Sequence, residues 1–209
     1  MTNKSSQIDQ WRGDFGDTYV DRNPVTDEAI QQRERAFSQI LGHIEEQPPA
    51  AILEAGANVG INLRALKNVT DAELSAIEPN PTARKVLTGD GVIPTENIHD
   101  ADLSKLPFED GTFDLVFTSG VLIHVPEAAL ETAYREMHRV SRGFVLSIEY
   151  FSPTPVSIPY RGRDDLLFKR DFGGMWMDLF PDLECVADGF FWKRTTGLDD
   201  LNWWLFRKT

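Results

Sequence analysis

The segment spanning residues 51–66 constrains the fold more than any other part of the sequence. Residues 51–54 form a short apolar run of strand length that ends in an acid, Gly56 and Gly60 follow, and residues 61–66 change to helical spacing. This order predicts a strand, a tight turn and a helix. Because glycine carries no Cβ, such a turn lets the backbone approach a ligand, and it points the free N–H groups of the helix start into the crevice at the carboxyl end of the strand. We expect a small molecule to bind there.

Strand and helix patterns alternate along most of the chain. Further strands are predicted at residues 74–78, 97–101, 113–118 and 143–151, and helices at about 26–43, 79–88 and 126–140. Residues 183–193 and 203–207 are predicted as two closing strands, suited to antiparallel pairing. Strands that alternate with helices predict an α/β fold with a Rossmann-like, doubly wound, parallel sheet and right-handed crossovers.

The predicted organisation is an N-terminal arm and helix, residues 1–47, that cover the ligand site of one main domain, residues 48–209. Residues 1–10 are polar and predicted to be frayed, and residues 11–23 form an ordered arm without helical or strand periodicity. Pro153, Pro155 and Pro159 exclude regular structure from a lid-like insertion at about residues 152–175, and a short helix is predicted at 175–180.

Charge and cysteine content exclude several classes of protein. The net charge of -12 provides no basic field for nucleic-acid phosphates or an anionic membrane, so we expect neither as a partner. Cys185 is the single cysteine, which excludes an intramolecular disulfide and a cysteine-based zinc cluster. The four histidines lack metal-ligand spacing, so no catalytic metal is predicted. Without an apolar signal region, we expect a cytoplasmic protein, monomeric or homodimeric.

The glycine turn narrows the choice of ligand. A Walker loop requires Lys-Ser or Lys-Thr after its glycines, whereas Ile61 and Asn62 follow Gly60. A nicotinamide fingerprint requires three glycines in the pattern Gly-x-Gly-x-x-Gly, and Asn58 occupies one of those positions. An adenosine cofactor without phosphates remains, and S-adenosylmethionine fits the acids that follow the strands.

Three carboxylates follow three successive predicted strands. Glu78 can accept hydrogen bonds from both ribose hydroxyls, because its two oxygens suit a vicinal diol. Glu54 places negative charge where it favours the ammonium or sulfonium end of the cofactor. Asp102 is positioned to receive the adenine amine while Leu103 packs on the ring. An acid at one strand end is usually a solvated cap, but three at successive strand ends favour a common site.

The sequence here resembles the class I S-adenosylmethionine-dependent methyltransferases. The resemblance spans residues 51–151 and rests on residues 53–56, 77–80, 106–116 and 122–125. It implies a seven-stranded, mostly parallel sheet with an antiparallel last strand, and S-adenosyl-L-homocysteine as the product. Asn58 departs from the glycine of many members. We assign to the cofactor site Tyr19, Arg22, Glu54, Gly56, Ala57, Asn58, Gly60, Glu78, Pro79, Asp102, Leu103, Ser119 and Gly120.

A second resemblance covers nearly the whole chain. The pattern of residues 11–23, together with residues 54–60, 149–150, 160–162 and 168–172, is similar to the pseudaminic acid biosynthesis-associated methylases. This resemblance implies methylation of a sugar or sugar-derived metabolite, in a nonulosonic acid or nucleotide-sugar context, on oxygen or nitrogen. The expected partner is therefore a small-molecule acceptor, with anionic sugars included.

Candidate catalytic and acceptor-binding residues lie outside the cofactor motifs. His124 is the first candidate for a general base or an acceptor-orienting group, although a histidine hydrogen-bonded at a helix entry is equally compatible with the pattern. Glu149 either acts on the acceptor or anchors a loop, and Tyr160 completes the catalytic set. Local basic residues in an acidic chain favour contact with an anionic acceptor, although internal salt bridges explain them too. The acceptor-binding candidates are Trp11, Asn23, Tyr150, Arg161, Lys169 and Arg170.

Other classes of function remain open from the sequence. A catalytically silent protein that binds S-adenosylmethionine as a sensor would carry the same cofactor motifs. A protein methylase would need a peptide-docking module that the chain does not display, and a nucleotide-dependent oxidoreductase fits the glycine turn poorly.

Overall fold

The computed structural model describes residues 7–162 and 166–209. The helices are α1 (Gln7–Arg12), α2 (Asp14–Val20), α3 (Asp27–Leu41), α4 (Ile61–Val69), α5 (Pro81–Gly89), α6 (Glu127–Val140), α7 (Phe172–Leu179) and α8 (Lys193–Thr196). The strands are β1 (Ala51–Ala55), β2 (Glu73–Ile77), β3 (Ile98–His99), β4 (Phe113–Ser119), β5 (Ser141–Glu149), β6 (Val156–Ser157), β7 (Phe168–Lys169), β8 (Leu183–Phe191) and β9 (Leu201–Lys208). Short 3-10 helices cover Gly42–Ile44, Thr95–Asn97 and Leu122–His124.

Seven of these strands form one sheet in the order β3-β2-β1-β4-β5-β9-β8. Neighbouring strands from β3 to β5 pair in parallel, whereas β9 pairs antiparallel with both β5 and β8. The predicted fold class, a mostly parallel doubly wound sheet with an antiparallel last strand, is confirmed. The chain leaves β1 toward β2 on one side and returns to β4 on the other. Such a switch in strand order opens a crevice at the carboxyl ends of the strands.

Two hydrophobic clusters cover the two faces of the sheet. In β1, Ile52 belongs to the cluster that also contains Phe37 and Leu63, whereas its neighbour Leu53 belongs to the cluster with Tyr134 and Trp176. Successive side chains of a strand point to opposite faces, so this strand is buried on both sides and reads as a continuous apolar run. Burying each such side chain contributes about 1.5–3 kcal/mol. The packing fixes β1 and the turn that follows it.

The N-terminal arm is helical, which corrects the prediction of an arm without periodicity. Trp11, Phe15 and Tyr19 recur every four residues, and the Trp11 ring lies 5.0 Å from the Phe15 ring and 5.3 Å from the Tyr19 ring. Gly13 precedes α2 in an extended conformation, so two short helices replace one long helix. Of the residues predicted to be frayed, Gln7 to Gln10 lie in α1, and residues 1–6 lie outside the described residues.

Two other predicted segments differ in extent. The third strand has two residues rather than five, because only residues 98–99 pair with β2. In the insertion at about 152–175, the proline-rich part contains regular structure after all, since β6 and β7 pair antiparallel through Val156 with Lys169 and Ser157 with Phe168. The predicted helix at 175–180 begins earlier, at Phe172 in α7, because the Asp171 side chain caps it by accepting from the Gly174 N–H.

Candidate active site

A cavity of about 420 Å³ lies at the carboxyl ends of β1, β2 and β4. Its wall is formed by the turn after β1, by the residues that follow β2 and β4, and by α2 above them. This size falls within the range of small-molecule sites, roughly 300–1,000 Å³. The switch point of the sheet therefore carries a concave site, as the glycine turn predicts.

The turn between β1 and α4 has backbone angles that favour glycine. Gly56 has φ 87° and Gly60 has φ 75°, and Asn58 between them has φ 48°, a region that asparagine tolerates better than most residues. A Cβ on Gly56 would lie 2.7 Å from Cγ2 of Val121. The turn is held to the sheet because the Gly56 N–H donates to the Ile77 carbonyl oxygen at 2.9 Å.

We expect the Gly56→Ala variant to lose about 1–3 kcal/mol of unfolding free energy, the cost of a left-handed backbone for a residue with a Cβ. The contact with Val121 adds to that cost. Gly42→Ala is the matched control, because Gly42 has φ -58° and a Cβ there meets no atom within 4 Å. Urea unfolding of both variants checks the prediction, and equal unfolding free energies would contradict it.

Glu54 is buried in the cavity wall with only part of its hydrogen-bonding capacity used. Its side chain is 1% exposed, and Oε1 accepts from Nδ2 of Asn62 at 2.6 Å. Oε2 has no hydrogen-bond partner among the described residues. Burial raises the pKa of Glu54 to about 8, against the opposing effects of Asn62 and the Arg33 guanidinium. A buried carboxylate oxygen without a partner favours a cationic or hydrogen-donating ligand.

Arg33 brings a cation into the same wall from α3. Its Nη1 donates to the Ala29 carbonyl oxygen at 3.0 Å, and burial lowers its pKa while Glu54 and Tyr19 oppose that shift. In the sequence, Arg33 lies at helical spacing between the apolar residues Ile30 and Phe37. A charged residue at an apolar position of a helix was a signal of the site, but Arg33 was not assigned to the site from the sequence.

Glu78 joins the glycine turn to the start of α5. Oε2 accepts from the Asn58 N–H at 2.7 Å, and Oε1 accepts from the Asn80 N–H at 2.8 Å. Asn80 in turn caps α5, because its Oδ1 accepts from the Ala83 N–H at 2.8 Å. Burial raises the pKa of Glu78, and the two backbone donors oppose this shift. Each carboxylate oxygen has more than one lone pair, so both can still accept from a ligand.

Asp102 lines the cavity beside Leu103, which is 7% exposed. Asp102 Oδ1 accepts from the Ser104 N–H at 2.9 Å. Its Oδ2 lies 3.6 Å from Nη2 of Arg12, and the same guanidinium pairs with Asp100 at 2.7 Å. Helix α1 is therefore held to the far end of the cavity by ion pairs.

Most residues assigned to the cofactor site are brought together by the fold. Gly60 and Arg22 are the exceptions. Gly60 packs its α-carbon against Leu87, and Arg22 stacks on Tyr19 outside the lining. The assigned residues that line the cavity are Tyr19, Glu54, Gly56, Ala57, Asn58, Glu78, Pro79, Asp102, Leu103, Ser119 and Gly120. Their binding of the cofactor stays a prediction.

His124 lines the cavity beside Trp11, whose ring centroid lies 4.7 Å away. Nδ1 of His124 lies 2.5 Å from the Leu166 carbonyl oxygen. A carbonyl oxygen only accepts, so Nδ1 carries the proton and Nε2 keeps its lone pair. Burial lowers the pKa of His124 to about 4. The imidazole is therefore neutral near pH 7 and a weak base.

Glu149 lies outside the cavity lining, so its catalytic assignment is not supported by its position. It is fully buried, and its carboxylate accepts from the backbone N–H groups of Val121 at 3.2 Å, Leu122 at 3.1 Å and Ile123 at 3.3 Å. The chain turns after β4 over the end of β5, which brings these donors to Glu149. Burial raises its pKa to about 7. Glu149 anchors the loop that carries His124, the alternative left open by the sequence.

Tyr160 also lies outside the lining and packs its ring 5.9 Å from that of His124. Among the acceptor-binding candidates, Trp11 and Asn23 line the cavity. Tyr150, Arg161, Lys169 and Arg170 do not. Arg170 is buried and pairs with Glu127 at 3.3 Å, so an internal salt bridge explains it.

Buried titratable groups predict an unusual dependence of stability on pH. The folded-state pKa of Glu54 is about 8 and that of Glu149 about 7, against an ordinary 4.5. The unfolded chain releases these protons first, so the free energy of unfolding falls as pH rises from 4.5 to about 8. The low pKa of His124 acts in the opposite direction, but only below its ordinary 6.5.

We therefore expect the melting temperature of the ligand-free protein to fall between pH 6.5 and about 8. Glu54→Gln should make this decline shallower, whereas Glu73→Gln, at an exposed glutamate of β2, should leave it unchanged. Calorimetric melting across this range checks the prediction. A melting temperature that rises with pH in the wild type would contradict it.

The described residues contain neither a metal-ligand cluster nor a helix suited to crossing a membrane. Within residues 7–162 and 166–209, no group of three or more His, Cys, Asp or Glu side chains could hold a metal ion. In the same part of the chain, no helix has the length and apolar character that crossing a membrane requires.

The fold and the central segment of the chain are similar to those of known methyltransferases. Residues 53–144 match the family model described as Methyltransferase domain. The structure of 1,6-didemethyltoxoflavin-N1-methyltransferase from Burkholderia thailandensis, with bound 1,6-didemethyltoxoflavin and S-adenosylhomocysteine, is similar at a TM-score of 0.69 and 22% identity, over 95% of this chain and 87% of that one. Magnesium protoporphyrin IX methyltransferase from Synechocystis PCC 6803, with bound S-adenosylmethionine, is similar at 0.71 and 12% identity over 100% of both chains. The chain has the class I methyltransferase fold, and its central segment matches the family model of a methyltransferase domain.

Curated relatives are similar over part of their length. Sarcosine/dimethylglycine N-methyltransferase of Halorhodospira halochloris is 29% identical over 58% of this chain and 43% of its own. Cycloartenol-C-24-methyltransferase of Arabidopsis thaliana is 30% identical over 54% of this chain and 33% of its own. The chain therefore spans less than half the length of either relative.

Proposed function

We propose that the protein is an S-adenosylmethionine-dependent methyltransferase that acts on a small-molecule acceptor. One observation carries the proposal: Glu54 and Glu78 meet a left-handed glycine turn in one cavity of about 420 Å³, and Glu54 keeps an unpartnered oxygen there. Similarity to methyltransferases with bound S-adenosylmethionine or S-adenosylhomocysteine supports it.

The residues present fit this cofactor at both ends. Glu78 offers two oxygens to the ribose hydroxyls, and Asp102 with Leu103 offers an acceptor and an apolar wall to the adenine. At the other end, Glu54 suits an ammonium group and Arg33 suits a carboxylate, the two charges of an amino-acid moiety. An acid and an arginine in one wall match a zwitterion better than a simple cation.

When bound, the cofactor supplies a methyl group activated by a sulfonium leaving group. The chain's own residues then position the acceptor and exclude water, because alignment and desolvation provide much of the rate. Trp11 and Tyr19 of the helical arm form an aromatic cover over the cavity beside His124. Nε2 of His124 can accept a hydrogen bond from an acceptor hydroxyl or amine. With a pKa of about 4, the imidazole orients this group rather than holding its proton.

We expect His124→Ala to lower kcat by about tenfold to a thousandfold, less than the loss of a general base can cost, because the imidazole orients the acceptor and does not take its proton. The dissociation constant for S-adenosylhomocysteine should change little, since the carboxylates that hold it are elsewhere. His43→Ala serves as the control, because His43 packs against Trp203 away from the cavity. Unchanged turnover in His124→Ala would return His124 to a structural role.

The finer proposal is O- or N-methylation of a sugar or sugar-derived metabolite by a cytoplasmic monomer or homodimer. It rests on the sequence resemblance to the pseudaminic acid biosynthesis-associated methylases. The similar proteins carry other acceptors in their names, among them sarcosine and a toxoflavin precursor. The common requirement is an acceptor small enough to share the cavity with the cofactor.

A single-turnover assay tests this function. The protein is incubated with methyl-labelled S-adenosylmethionine and with fractionated cell metabolites, and label is followed into each fraction. We expect transfer into a polar, small-molecule fraction, and sugar-specific digestion of the product tests the finer proposal. Micromolar cofactor binding without transfer into any fraction would favour a catalytically silent binding protein instead.

A further inference from the structure

Three tyrosines from distant parts of the chain lie at or near the cavity, and of these Tyr19 lines it. Tyr19 lies on α2, Tyr150 follows β5, and Tyr160 lies in the insertion. The rings of Tyr19 and Tyr160 both face His124, at 6.4 Å and 5.9 Å between centroids. The Tyr150 hydroxyl donates to Asp199 at 3.2 Å. Tyr19 and Tyr160 therefore flank His124 from the helical arm and from the insertion.

Each tyrosine ring carries a cation. Arg22 lies 5.3 Å from the Tyr19 centroid, Lys169 lies 4.9 Å from that of Tyr150, and Arg161 lies 5.6 Å from that of Tyr160. In the part of the chain that the structure describes, none of these cations forms an ion pair with a carboxylate. Some of the other cations of this acidic chain pair with carboxylates, namely Arg12, Arg64, Arg84, Arg135, Arg139, Arg142, Arg170 and Lys193.

Arg22 is the most constrained of the three cations. Its Nε donates to the Thr18 carbonyl oxygen at 2.7 Å, which fixes the guanidinium against the ring. Nη1 and Nη2 are buried and have no hydrogen-bond partner among the described residues. A buried guanidinium edge of this kind is costly unless an anion satisfies it, and its fork geometry matches the two oxygens of a carboxylate or phosphate. Arg22 lies between Tyr19 and Asn23, which both line the cavity.

We propose that Arg22, Arg161 and Lys169 form a cationic collar that selects a methyl acceptor carrying an oxyanion, with Arg22 as its principal contact. This inference rests on the proposed methyltransferase function and names the acceptor's chemical class. Arg33 is not part of the collar, because it faces Glu54 at the cofactor end of the cavity. Arg22 is therefore reassigned from the cofactor to the acceptor.

Matched probes on two scaffolds test the proposal by calorimetry. Benzoate and phenyl phosphate are compared with neutral benzamide, and glucuronate is compared with neutral methyl glucoside, all on protein saturated with S-adenosylhomocysteine. We expect the acid to bind about tenfold more tightly than its neutral partner on at least one scaffold, as a charge-assisted hydrogen bond predicts. The carboxylate and phosphate probes distinguish the two kinds of oxyanion.

Variants assign the preference to the collar. Arg22→Gln should abolish the tenfold difference, and Arg161→Gln and Lys169→Gln should each reduce it about twofold to fivefold, because these two cations are exposed and half-buried, respectively, and are partly screened by solvent. Arg135→Gln is the matched control, because Arg135 also stacks on a ring, that of Phe180, but lies on the exposed face of α6. Melting curves confirm that each variant is folded. A preference that Arg22→Gln leaves intact, or equal binding of acids and neutral probes on both scaffolds, overturns the proposal.

The two proposals can fail separately. If S-adenosylhomocysteine binds but the anion preference is absent, only the collar is refuted. If S-adenosylhomocysteine does not bind, the proposed function fails, and the same probes are titrated into the free protein. An anion preference that depends on Arg22 would then still support an oxyanion site.

Discussion

Replacing Glu78 by alanine is expected to weaken binding of S-adenosylhomocysteine by about 1.5–3 kcal/mol, the worth of charge-assisted hydrogen bonds. The carboxylate would no longer meet the ribose hydroxyls. It would also no longer accept from the Asn58 and Asn80 N–H groups, which lie at the glycine turn and at the start of α5. Both sides of the cavity would lose a shared support, so the loss should lie toward the upper end of this range. Calorimetric titration measures it.

Glu73→Ala is the control for this prediction. Glu73 is the first residue of β2, the strand that Glu78 follows. Its side chain is exposed and contacts Asn97 rather than the cavity. The affinity of Glu78→Gln for S-adenosylhomocysteine should lie between those of Glu78→Ala and Glu73→Ala, because the amide keeps one acceptor oxygen. Equal affinities for Glu78→Ala and the wild type would remove Glu78 from the ligand site.

The second large effect is expected at Glu149. Replacement by leucine keeps a similar volume but leaves the N–H groups of Val121, Leu122 and Ile123 without an acceptor in a buried place. Each unsatisfied donor costs about 1–3 kcal/mol. The substitution also removes the desolvation cost of a buried carboxylate, which offsets part of the total cost of the three donors. We expect a net loss of about 2–4 kcal/mol in the free energy of unfolding.

Thermal melting and cofactor titration together assign the role of Glu149. Each kcal/mol corresponds to about 2–4 °C in a chain of this size. Affinity for S-adenosylhomocysteine should fall as well, because Val121 and His124 of the anchored loop line the cavity. The exposed strand residue Glu184 provides the control variant, Glu184→Leu. An unchanged melting temperature with lost turnover would restore the catalytic assignment of Glu149.

The parts of the site that could be predicted from sequence are those that depend on short sequence motifs and on the order of the strands. The glycine turn after β1 could be predicted from residue types at fixed spacing. The shared location of the acids at the ends of β1, β2 and β3 could be predicted from the parallel order of the strands. Glu54, Glu78 and Asp102 consequently share one cavity. Parallel strands end at the same edge of the sheet, so this meeting needs no knowledge of side-chain packing.

The parts that could not be predicted depend on packing between distant segments. Arg33 reaches the site because α3 packs on α4, and Asn62 matters because its amide finds Glu54 across the turn. The helices of the arm were missed because the helix-weakening residues Gly13 and Gly16 lie among its aromatic side chains, although those side chains recur every four residues. Glu149 was placed at the correct strand end, but its partners are backbone groups of a loop whose path the sequence does not specify.

The central claim is that the cavity holds an adenosyl cofactor through carboxylates rather than a dinucleotide through its phosphates. Isothermal titration of S-adenosylhomocysteine and of NAD into the same wild-type preparation tests it most directly. The account predicts one S-adenosylhomocysteine bound per chain with micromolar affinity and no heat from NAD. Binding of NAD, or no binding of S-adenosylhomocysteine, would contradict it.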